Sequence, residues 1–124
     1  MKVLLIDDDP LVRFALASML QPYGYEVVTA ENGRIGTRLL RTEHPDVVIT
    51  DIIMPDQEGF ETIIEIKREH PDTKVIAISG GFRQGNLDIL PMARALGADA
   101  AIAKPFEPSQ LIDEIKRLTI QLAA

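Results

Sequence analysis

The chain is 124 residues long, 46% hydrophobic and 26% charged, with a formal net charge of −6. That length holds one domain with a real core and not two ordinary ones, and the negative charge argues against direct binding to nucleic acid or to an anionic membrane. The absence of cysteine excludes disulfides and thiolate chemistry, and no apolar run suits a membrane span or a secretory leader, so a cytoplasmic location is expected.

Short Val/Ile/Leu runs alternate with amphipathic stretches along the chain. A first strand is predicted over 2–6 and stops abruptly at Asp7-Asp8-Asp9. Asp9-Pro10 pairs a helix cap with an N1 proline, opening a first helix through Phe14, Leu16, Met19 and Leu20 toward Gly24. A second strand, 26–29, precedes Asn32, which can cap a helix carrying Ile35, Leu39 and Leu40. A third strand, 47–50, runs into Asp51, and a helix around 60–69 places Ile63, Ile64 and Ile66 at helical spacing. The fourth strand, 74–78, leads into Ser79-Gly80-Gly81 and a glycine-rich loop expected to be mobile. The next helix starts near Asp88, because Pro91 is tolerated only in a first turn, and ends at Leu96-Gly97. A fifth strand, 100–103, ends in Lys104-Pro105-Phe106, and Pro108 opens a last helix through Leu111, Ile112, Ile115, Leu118 and Leu122.

Five strand–helix repeats with continuous apolar strands predict an α/β fold, a single doubly wound (βα)5 domain on a five-stranded parallel sheet. Right-handed crossovers leave few topologies, of which the flavodoxin-like order 2-1-3-4-5 is expected. That order makes the first and third strands neighbours and brings Asp7, Asp8 and Asp51 into one crevice beyond their carboxyl ends. Glu-His-Pro-Asp occurs twice, at 43–46 and 69–72. Both copies read as helix ends at the opposite pole, with His44 and His70 suited to a helix C-terminus and proline stopping the helix.

The crevice thus collects three carboxylates, the Ser79 hydroxyl, the Lys104 ammonium and glycine backbone. Like charges about 5 Å apart repel by about 3 kcal/mol at an effective dielectric near 20, so a cation is expected to join them. Lys104 supplies one charge, and Mg²⁺, which takes oxygen ligands and few carboxylates, suits the remainder. An aspartate beside such a cation, a lysine and a hydroxyl donor is equipped to accept a phosphoryl group. Asp9 is assigned to the helix cap alone.

Taken together, the acid pair, Asp51-x-x-Met54-Pro55, Ser79 and Lys104-Pro105-Phe106, each at a strand exit, make the whole chain resemble a response-regulator receiver domain of two-component signalling, of the chemotaxis-regulator kind. The resemblance implies Asp51 as phospho-acceptor, with Mg²⁺ held by Asp7, Asp8, Asp51 and the Ile53 backbone carbonyl. It also implies Lys104 and Ser79 as phosphoryl-binding side chains, Gly80 as a backbone donor, and a Lys104–Pro105 peptide that is often cis. The implied partners are a sensor histidine kinase or phosphotransfer protein and a downstream protein target. The target would meet the face formed by the fourth helix, fifth strand and fifth helix, on a monomer or weak homodimer. A receiver over 1–124 with no output domain in this chain is expected.

The chain departs from the family at Ala101, where many receivers carry an aromatic that moves on activation; Phe106 or Phe82 is a candidate to supply bulk there instead. Two rival functions fit less well. An aspartyl phosphohydrolase commonly has a second acid two residues after its nucleophile, where this chain has Ile53, so a signalling switch is expected and not an enzyme acting on other substrates. A mononucleotide binder needs glycines and hydroxyls in the first loop, where Asp7 and Asp8 would repel phosphate.

Overall fold

The computed structural model describes residues 1–52, 59–79 and 89–120. Expectations for Ile53, Met54-Pro55, the glycine-rich loop with Gly80 and Phe82, Asp88 and Leu122 fall outside the described residues. Strands β1 (Lys2–Ile6), β2 (Glu26–Ala30), β3 (Val47–Asp51), β4 (Lys74–Ser79) and β5 (Ala100–Ala103) alternate with helices α1 (Pro10–Leu20), α2 (Gly33–Glu43), α3 (Gly59–Glu69), α4 (Ile89–Ala95) and α5 (Pro108–Thr119). All strand pairs are parallel, in the order β2-β1-β3-β4-β5, as the alternation predicts.

The sheet divides the core in two. Val3, Leu5, Val47, Ile49, Ile76, Ile78 and Ile102 face Leu16 and Leu20 of α1 and Leu111, Ile112 and Ile115 of α5. On the other side Leu4, Ile6, Val48, Val75 and Ala77 meet Leu40 of α2, Ile63 and Ile66 of α3 and Ala93 of α4. Burial on both faces is why these strands read as unbroken apolar runs.

Local signals set the element ends. The Asp9 carboxylate accepts from Leu11 N–H at 2.9 Å, and the Asn32 side-chain amide oxygen accepts from Ile35 N–H at 2.8 Å, the side-chain caps the sequence calls for. Pro91 sits in the first turn of α4, and Gly97 beyond that helix has φ +122°, a conformation glycine adopts without a Cβ penalty. One boundary departs from expectation: α1 stops at Leu20, and Gln21–Tyr23 tightens into a 3-10 turn before Gly24, because Pro22 lacks the N–H that an α-helix would use. His44 caps α2 with its N–H on the Leu40 carbonyl at 3.3 Å, and His70 N–H reaches the Ile66 carbonyl at 2.7 Å. Both histidines therefore end helices at the pole away from the acids.

Candidate functional site

Four adjacent strands, β1, β3, β4 and β5, end along one edge of the sheet, and each delivers a polar residue there. Beyond β1, Asp7 N–H extends the ladder to the Ala30 carbonyl at 3.1 Å. This draws its side chain into the crevice, where the residue is 3% exposed. Asp51 is the last residue of β3, half-buried, and pairs in register with Ile78. Ser79 closes β4 and is buried; its carbonyl accepts Lys104 N–H at 2.8 Å, tying the exits of β4 and β5 together. The Lys104–Pro105 peptide is cis.

Asp7, Asp8 and Asp51 converge: each offers a carboxylate oxygen, and these oxygens lie within 4.8 Å of one another. The Lys104 ammonium stands 3.6 Å from Asp7 Oδ2, too long for a good hydrogen bond but close enough to offset charge. Asp7 Oδ1 accepts from Asp9 N–H at 2.9 Å. Three carboxylates against one ammonium leave an oxygen-lined pocket that a hard divalent cation fits by charge and donor type. Of the expected site residues, the structure brings together Asp7, Asp8, Asp51 and Lys104 and places Ser79 on the same edge. Ile53 and Gly80 lie outside the described residues.

Burial pushes the Asp7 carboxyl above the usual carboxylate range, and the neighbouring Asp8 charge adds to this, while the Asp9 N–H and Lys104 oppose it. A carboxyl whose folded pKa is raised holds its proton more tightly folded than unfolded. Stability is then lost as pH rises through the unfolded and then the folded pKa, and the full penalty stands at neutral pH. Asp7→Asn, without added metal, is accordingly expected to be more stable than wild type at pH 7. The two should converge near pH 3, and urea unfolding at both pH values checks this.

Two features escape the sequence. Arg13 Nη1 donates to the Asp7 carbonyl at 2.7 Å; a side chain reaching back to backbone six residues earlier has no periodic signature. Gly59, the first residue of α3, sits directly on the end of β3, its N–H on the Ile52 carbonyl at 2.8 Å. One expectation is corrected: Phe106 does not fill the space near Ala101. Phe106 packs on the α1/α5 side of the sheet, whereas Ala101 packs on the side of α2, α3 and α4. Beyond the turn at Pro105 its ring joins Val12, Leu16 and Met19 along a groove of about 410 Å³.

The sheet order and the acid cluster beyond its carboxyl edge together define a domain of two-component signalling. Residues 3–116 match the family model of the response regulator receiver domain, and the chain belongs to that family. It is 33% identical over 119 residues to the chemotaxis protein CheY of Thermotoga maritima, covering 95% of this chain and 97% of that protein. Identity is also 33% to the probable transcriptional regulator ycf27 of Cyanophora paradoxa, covering 94% of this chain. The chain spans only 47% of that regulator and 44% of its Galdieria sulphuraria counterpart. Among solved structures, a response regulator receiver domain protein from Clostridium thermocellum superposes with a TM-score of 0.89 at 31% identity, covering 98% of this chain and 96% of that one. The response regulator TrrA of Thermotoga maritima, in complex with Mg²⁺ and BeF, gives a TM-score of 0.82 at 32% identity, covering 94% and 97%. No helix among the described residues is long and apolar enough to cross a membrane.

Proposed function

We propose that this receiver accepts a phosphoryl group from a phosphohistidine donor onto Asp51, in the cytoplasm and with Mg²⁺ as cofactor. The observation that carries this reading is the convergence of the Asp7, Asp8 and Asp51 carboxylates within 4.8 Å, beside Lys104. Asp7, Asp8 and Asp51 would hold Mg²⁺, with the Ile53 carbonyl as a further ligand, and the ion would neutralise charge on the transferring phosphoryl group. The complex of TrrA with Mg²⁺ and BeF supports the same choice of metal here.

In the transfer, an Asp51 carboxylate oxygen forms a bond to phosphorus as the phosphorus–nitrogen bond to the donor imidazole breaks, and the imidazole leaves with that electron pair. Lys104, now facing Asp7, turns its ammonium to a phosphoryl oxygen. The Ser79 hydroxyl, held at the end of β4, donates to another, and Gly80 adds a backbone N–H. The charge gained at Asp51 biases a two-state equilibrium of the α4–β5–α5 face, which a downstream protein reads. β5 suits this relay because it is an edge strand tied to Ser79 through Lys104 N–H. The domain is a switch that catalyses only its own phosphorylation and dephosphorylation, served by a sensor histidine kinase or phosphotransfer protein.

The test is intact mass after incubation with acetyl phosphate, with and without Mg²⁺. A gain of one phosphoryl group only when Mg²⁺ is present is expected; wild-type protein that stays unmodified with acetyl phosphate and with a phosphohistidine donor would sink the reading. A ligand that binds only the folded state also stabilises it, by about 2.7 kcal/mol at a hundred times its Kd. Asp8→Ala is expected to lose most of that Mg²⁺-dependent rise in melting temperature while folding normally without metal, since Asp8 is exposed.

A further inference from the structure

At the end of β1 the two backbone groups of Asp7 go to different partners. Its N–H still bonds across to β2, at the Ala30 carbonyl. Its carbonyl instead takes the Arg13 guanidinium at 2.7 Å. Arg13 sits in the first turn of α1 with its own N–H on the Asp9 carbonyl at 3.0 Å, so its side chain folds back over the turn that starts its helix.

The Asp7 carbonyl shares a rigid peptide plane with the Asp8 N–H. Holding that carbonyl holds the plane, and with it the position of the Asp8 Cα and the direction from which its carboxylate approaches Asp7 and Asp51. Asp7 is fixed by burial and by Asp9 N–H, and Asp51 by the β3–β4 ladder. Asp8 is exposed, so no packing places it.

We propose that Arg13 is a positioning residue for the cation: its bond to the Asp7 carbonyl orients the Asp7–Asp8 peptide so that Asp8 enters the carboxylate cluster ready to bind. The inference rests on the reading of the cluster as an Mg²⁺ site. Two effects of Arg13 oppose each other. Its positive charge beside the cluster by itself weakens cation binding, while its hydrogen bond pre-orients a ligand; positioning wins in this proposal. A merely structural arginine would change folding stability and leave metal affinity alone.

The experiment measures the Mg²⁺ dissociation constant by calorimetry, and the metal-free melting temperature, for wild type, Arg13→Met and Arg13→Lys. Arg38→Met, an exposed α2 position, controls for the loss of one positive charge. Arg13→Met is expected to bind Mg²⁺ about fivefold more weakly than Arg38→Met, the factor that one ordinary hydrogen bond carries. Arg13→Lys keeps the charge but loses the planar, long-reaching donor, and is expected to bind about threefold more weakly than wild type. Affinity within twofold of the controls, or tighter, in a folded Arg13 variant overturns the proposal whatever happens to the melting temperature. If only Arg13→Lys folds, its affinity alone decides. Wild-type protein that binds no Mg²⁺ overturns the functional reading and this inference with it, whereas wild-type binding matched by the Arg13 variants overturns this inference alone.

Discussion

Asp51→Ala is expected to abolish phosphoryl uptake from acetyl phosphate, lowering the rate by on the order of a hundredfold or more, without unfolding the protein. The two halves of that expectation have separate causes. The substitution removes the atom that bonds to phosphorus, and the other acids cannot substitute for it: the Asp7 carboxylate is buried and engaged by Asp9 N–H, and Asp8 is needed for the cation. Stability is expected to hold, because Asp51 is the last residue of β3 and only half-buried, and its removal relieves repulsion with the Asp7 and Asp8 carboxylates. Intact mass gives the first half and thermal unfolding without metal the second. Uptake that survives in Asp51→Ala would move the acceptor to another residue.

The second large effect lies at Gly59. A Cβ built there would collide with the Cα and carbonyl oxygen of Ile52 and lie 2.6 Å from the Asp51 carbonyl oxygen. These are backbone atoms of the residue that carries the acceptor and of its neighbour, so no rotamer change relieves the clash. Gly59→Ala is expected to cost about 3 kcal/mol, the upper part of the range for overpacking, and to lower the melting temperature by about 10 °C. It should also slow phosphorylation, since the end of β3 has to shift to admit the methyl group. Gly36→Ala is the informative contrast. Its Cβ would press on the tip of the Ile6 side chain, with Cγ1 at 2.8 Å, and a side chain gives way more readily than a strand. A smaller loss is expected there, partly offset by the better helix propensity of alanine. Equal melting temperatures for Gly59→Ala and wild type would refute the close-packing argument.

The fold was legible because several independent signals agreed. Strands buried on both faces left unbroken Val/Ile runs, Asp9-Pro10 and Asn32 marked helix starts, and the parallel order followed from alternation. Three strands run one residue beyond the ends predicted at Thr29, Thr50 and Ile78. Backbone pairing runs on into Ala30, Asp51 and Ser79; the last two are polar residues of the site edge itself, where apolar character no longer marks the strand, and small Ala30 follows the polar Thr29. The cluster of Asp7, Asp8 and Asp51 was legible because acids at strand exits have no packing role. Arg13 and Gly59 were not, since their contacts are with backbone and depend on how a turn and a helix start fold back. Phe106, one of two candidates to supply bulk near Ala101, does not reach it, because it lies three residues past β5, beyond the turn at Pro105, and packs with Val12 and Leu16 of α1 on the other side of the sheet.

The molecule is polarised end to end. Acids, hydroxyl and lysine gather where the strands finish, while the helix-ending histidines and the exposed Gln21–Tyr23 turn lie where they begin. Space around Gly24 is open, with nothing within 4 Å of a Cβ built there. An anchor, a dye or a tether grafted at that turn therefore leaves the opposite pole free. Surface-bound copies held this way would all present the same end to solution, which makes the domain suited to oriented immobilisation.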